Sequence, residues 1–114
     1  MSPRWPKALA LFNRGAWYEA HDAFEELWQE AVDSDRQLLQ AIVQAAVAHV
    51  HLQRGNDRGA TILLGESIGR LGRCAPGSLG LDLLSLRTTL ADRLAALHQG
   101  RDPSALAEPR LIQR

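Results

Sequence analysis

Apolar residues recur along this chain every three to four positions and nowhere alternate strictly with polar ones, so the pattern predicts helices and no strands. A short first helix is expected over Arg4 to Asn13, with Pro6 tolerated in its first turn, Leu9, Leu11 and Phe12 as its contacts, and Gly15 at its end. The second runs from Trp17 to about Val32, where Asp33, Ser34 and Asp35 interrupt the pattern. At about 100° per residue, Trp17, His21, Phe24, Glu25, Trp28 and Val32 share one side of it, and Glu19, Ala23, Glu26 and Glu30 lie opposite. This is the stretch that carries ionisable groups inside what should be a core stripe.

Ser34, three residues before Gln37, has the form of a capping box, and a third helix is expected from Arg36 to about Arg54. It is apolar nearly all round and should be the buried centre of a bundle. Its polar exceptions are ordered: Gln40, Gln44 and His51 fall within about 40° of one another, and His49 falls on the far side. Gly55 suits the position after that helix, and Asn56 or Asp57 suits the cap of the next.

A fourth helix, about Arg58 to Arg73, turns Ala60, Leu64, Ile68 and Leu71 inward. Its glycines 65, 69 and 72 form a ridge, read either as a place where another helix comes close or as a weak surface helix. Cys74 to Gly80 is a loop. The fifth helix runs from Leu81 or Asp82 to His98 with Leu83, Leu86, Leu90, Leu94 and Leu97 at helical spacing, and Gly100 closes it. The fold class is therefore all-α, a single compact bundle of about five helices over residues 1–100, with a Pro-punctuated tail over 101–114 that is expected to fray.

Composition narrows the partners. Thirteen basic and thirteen acidic residues leave a formal net charge of zero, which removes the electrostatic case for nucleic acid or an anionic membrane surface. The longest apolar run, Leu38 to Val50, is broken by Gln40, Gln44 and His49 and is too short to span a bilayer. No signal-peptide pattern follows Arg4 and Lys7, and a lone Cys74 suits a reducing compartment, so a cytoplasmic protein is expected.

The candidate chemistry centres on His21 and Glu25, one turn apart and able either to share a metal ion or to hydrogen-bond each other. A carboxylate withdrawn from water costs several kcal/mol unless a cation, a protonated imidazole or its own proton compensates. His21 and Glu25 are therefore the candidate catalytic pair. With His51 they make a candidate ligand set for a divalent metal such as zinc or manganese, and Trp17, Trp28, Gln40 and Gln44 are the candidate pocket for a small-molecule ligand. The plainer readings stand beside these: the His and Glu as a satisfied core network, the tryptophans as packing, His49 as a core or interface histidine, and Glu19, Glu26 and Glu30 as a solvated acidic face.

The run FNRGAWYEAHDAFEELW, followed by RQLLQAIVQAAVAHVHLQRGN, resembles the bacterial and archaeal domain of unknown function family 309. Its hallmark of His, three residues, Glu, two residues and an aromatic matches His21, Glu25 and Trp28, with further similarity at Gln40, Gln44, His51, Gly55 and Asn56. Asp22 stands where that family often carries Glu. The resemblance implies a helical bundle and a suggested metal-dependent hydrolase activity resting on the motif. Two functions are thus carried forward: an internal polar site that binds a divalent metal and hydrolyses a substrate, or a non-enzymatic module that self-associates as a homo-oligomer or binds a partner protein, in which the His and Glu only fix packing.

Overall fold

A computed structural model describes residues 3–114. Five α-helices follow in chain order: α1 (Arg4–Asn13), α2 (Trp17–Glu30), α3 (Asp33–Gln53), α4 (Asp57–Leu71) and α5 (Leu83–His98), with single 3₁₀ turns at Ser78–Gly80 and Pro103–Ala105. No strand is present among the described residues. Each helix packs on its neighbours in sequence, and the radius of gyration of 13.1 Å is that of one compact domain of this length.

The all-round apolar α3 takes the central place because it alone can bury several faces. Leu38, Leu39, Ala41, Ile42, Ala45, Ala46, Ala48 and Val50 are all buried. Phe12 of α1, Phe24 and Trp17 of α2, Leu64 of α4 and Leu86 and Leu90 of α5 close around it. Each such side chain contributes about 1.5–3 kcal/mol by leaving water. The aromatic cluster is edge-to-face throughout, with Phe12 at 5.0 Å from Trp17 and 6.2 Å from Phe24, and Trp5 at 6.0 Å from Phe24.

Two turns set the helix directions. Gly15, at φ +77°, follows α1 in the left-handed region, so that Ala16 N–H reaches back to Leu11 O and Gly15 N–H to Phe12 O. After α3, Gly55 at φ +73° does the same, and Asn56 then caps α4 by accepting from Gly59 N–H at 3.0 Å.

Several expectations are corrected. α2 stops at Glu30, and Val32, placed on its apolar side, is 70% exposed. The Ser34 capping box does not form: α3 already begins at Asp33, which takes φ +55°, and no side chain caps its start. An Asp tolerates that backbone better than most residues. The glycine ridge of α4 is not a helix-packing groove. Added Cβ atoms at Gly65 would meet nothing within 4 Å, and Gly72 is overlain by the Arg87 guanidinium. The close approach of α4 to α3 is made instead by the buried Ser67, whose hydroxyl donates to Ala41 O at 2.7 Å.

The tail does not fray. Asn13 holds Leu111 through both its amide groups, accepting from Leu111 N–H at 2.7 Å and donating to Leu111 O at 3.0 Å. Asp82 N–H donates to Ile112 O, Arg114 N–H donates to Gly80 O, and the Arg114 side chain pairs with Asp82. With Leu111 and Pro109 buried as well, the segment is stitched to both ends of the bundle.

Candidate functional site

α2 and α3 are joined by a two-residue link and run antiparallel, which opens a groove on the surface between them. His21, Glu25 and Trp28 line it from α2, and Gln40, Val43, Gln44 and Val47 from α3, around about 350 Å³. Five of the seven residues singled out in the sequence therefore meet here.

Within the groove His21 is held by its own helix. Nδ1 lies 2.5 Å from Tyr18 O; a carbonyl only accepts, so Nδ1 donates to it, and Nε2 is turned outward toward Asp22. Nε2 is 3.3 Å from Asp22 Oδ1, and one donor atom each of His21, Asp22 and Glu25 lies within 4.8 Å of the others. The three cluster because Glu25 sits one turn beyond both His21 and Asp22. Asp22 was missed in the sequence; its i, i+3 relation to Glu25 was the available signal.

Glu25 is half-buried and keeps contact with water, so the large desolvation cost that a fully buried carboxylate imposes is not incurred here. Trp28 forms one end of the groove. The Arg36 guanidinium carbon stands 3.9 Å over its ring, and its Nε1–H is buried with no acceptor among the described residues. Gln40 offers its amide from the opposite wall. Gln44 is less free, donating to Glu66 Oε2 at 2.8 Å and accepting from Arg70 Nε at 3.1 Å.

Two candidates do not belong to the groove. Trp17 turns into the core, its ring 4.5 Å from that of His49, where it helps to form a different cavity. His51 shares the angular edge of Gln40 and Gln44 but lies about two turns past Gln44 along the axis, roughly 10 Å away at 1.5 Å per residue. An angular projection discards that distance. His51 is also engaged: Asn56 Nδ2–H donates to its Nδ1 at 3.1 Å, so that lone pair steadies the cap of α4 and is not available to a metal held by His21. His51 is therefore removed from the ligand set, and Trp17 from the pocket.

The second cavity, of about 490 Å³, lies between the C-terminal half of α3, the end of α5 and the tail. Its walls include His49 and Arg93, which are 2% and 5% exposed. His49 donates from Nδ1 to Ala45 O at 2.7 Å and has no partner at Nε2 among the described residues. Burial holds its pKa down at about 4, with the nearby Arg93 cation adding to the effect, so the ring is neutral at pH 7. Arg93 donates from Nε to Ala107 O at 3.0 Å and from Nη2 to Leu106 O at 2.9 Å. Sequence reading assigned His49 to the core and passed over Arg93, although its place on the Leu86–Leu90–Leu97 face was a sign.

The architecture is that of an all-helical bundle with a His and carboxylate groove on its central hairpin, and no helix among the described residues is long and apolar enough to cross a membrane. The chain belongs to the domain of unknown function family DUF309, which it matches over residues 5–63. It is also similar to an uncharacterised protein of Aquifex aeolicus, 23% identical over 98 residues, a match covering 85% of this chain and 29% of the relative. The chain thus spans less than a third of that relative's length.

Proposed function

We propose that the α2/α3 groove is a divalent-cation site in which His21, Asp22 and Glu25 supply the ligands. The observation that carries this reading is the orientation of His21: a backbone carbonyl fixes its Nδ1–H, and Nε2 is turned toward two carboxylates. An imidazole whose second nitrogen is tied to a carbonyl is the usual arrangement of a histidine ligand. One imidazole with two carboxylates suits manganese or zinc, and modest side-chain rotation is needed to bring a 4.8 Å spread to bonds of about 2.0–2.2 Å.

A cation held there would acidify a bound water and so favour hydrolysis. Gln40 stands where a small-molecule substrate would need a hydrogen-bonding group, and Val43 and Val47 give it an apolar wall. The lone Cys74 is in keeping with a reducing cytoplasm as the setting.

Calorimetric titration of tag-free protein with manganese and with zinc tests the reading. One site per chain is expected, lost in His21→Ala, weakened in Asp22→Asn and Glu25→Gln, and unchanged in His51→Ala. Absence of saturable heat, or retention of the site in His21→Ala, overturns it and leaves the groove residues with a packing role.

A further inference from the structure

Tyr18 is poorly placed to be a packing residue. Its ring is 52% exposed in the first turn of α2, and its hydroxyl has no partner among the described residues. The aromatic ring it meets there is the His21 imidazole, edge to face, with centroids 4.9 Å apart and planes at 70°. A side chain left half in water adds little to the core, so that contact is where Tyr18 acts.

Helix geometry brings the pair together. Residues three apart share a face and side chains lean toward the N-terminus, so the His21 ring comes down over the preceding turn, where Tyr18 supplies both a ring and a carbonyl oxygen. His21 Nδ1–H donates to that oxygen at 2.5 Å, and Nε2 then faces Asp22 Oδ1 at 3.3 Å, with Glu25 in the same cluster. The hydrogen bond alone is a weak tether. His21 is only half-buried, water competes for Nδ1–H, and the helical ladder already assigns Asp22 N–H to Tyr18 O. A helix also permits more than one rotamer at such a site. The Tyr18 ring holds the imidazole over this turn, and the Tyr18 carbonyl then selects which nitrogen it receives.

We propose that Tyr18 is a positioning residue of the cation site, a role that rests on the reading given above: its side chain orders His21 before the ion arrives, so that the ion does not have to.

The test is calorimetric titration with manganese and with zinc, together with isotope-edited NMR of the His21 ring in metal-free protein above neutral pH, on the unaltered chain, Tyr18→Ala and Tyr18→Phe. All three keep the backbone carbonyl. Tyr18→Ala should weaken the cation by about two- to tenfold, the weight of one aromatic pair, and should lower the fraction of His21 protonated on Nδ1. Tyr18→Phe should restore both, because the hydroxyl takes no part. Full affinity in Tyr18→Ala, an unchanged His21 tautomer in that variant, or a Tyr18→Phe protein as weak as Tyr18→Ala overturns the proposal while the cation site stands. No cation uptake by the unaltered chain overturns the site and this role together.

Discussion

The groove on the α2/α3 hairpin and the cavity beneath the tail differ in what holds them. The groove draws every residue from two consecutive helices, within the stretch that matches the family, and its ionisable groups keep contact with water. The cavity joins Trp17 and His49 to Arg93 and Glu108, which lie outside that stretch, and its two innermost polar side chains are enclosed. In the first, the side chains of the proposed cation site lie at the surface of a hairpin whose packing is carried by other residues. In the second, Arg93 both lines the cavity and fastens the tail, so any ligand role is coupled to stability.

That contrast can be broken most forcefully at Arg93. Arg93→Ala leaves the carbonyls of Leu106 and Ala107 without donors and should cost about 2–4 kcal/mol in urea unfolding. Faster amide exchange should appear at Leu111 N–H and Arg114 N–H as the tail loosens. A loss below about 1 kcal/mol would show that the tail is held by Asn13 and Asp82 alone.

His49 gives a pH dependence. Its folded-state pKa of about 4 lies below the ordinary 6.5, so the unfolded chain takes up the proton first. Stability from this group is complete above about 6.5, falls as the pH drops toward about 4, and falls no further below that, a total of up to about 3 kcal/mol. Asp57, Asp102 and Glu108 border the same cavity, so the His49 share is read as the difference from His49→Gln. Denaturant midpoints at neutral and mildly acidic pH in both proteins measure it; equal slopes would contradict a neutral buried ring.

Smaller effects sharpen the assignment of the remaining histidines. Asn56→Ala removes the α4 cap and should cost about 1 kcal/mol by thermal unfolding, and His51→Ala should lose part of the same amount. The smallest change is expected in the groove itself, where His21→Ala in metal-free protein should shift stability by no more than about 0.5 kcal/mol. A loss of several kcal/mol there would mean that His21 supports the fold and would erase the distinction between the two regions.

The sequence by itself determined the five helices, the glycine turns after α1 and α3, the central place of α3 and the meeting of His21, Glu25 and Trp28 with Gln40 and Gln44. These follow from local period and from a short link that forces two helices together, both of which are written in consecutive residues. Only the tertiary structure decided the rest. A wheel records neither height nor depth, so it brought in His51, which stands further along α3, and Trp17, which turns into the core. Burial depends on which helix covers which face, so only the packed bundle shows that Glu25 stays half-buried while Arg93 is nearly enclosed. The docking of the tail rests on Asn13 and Leu111 finding each other across almost the whole chain, a pairing that no local pattern encodes.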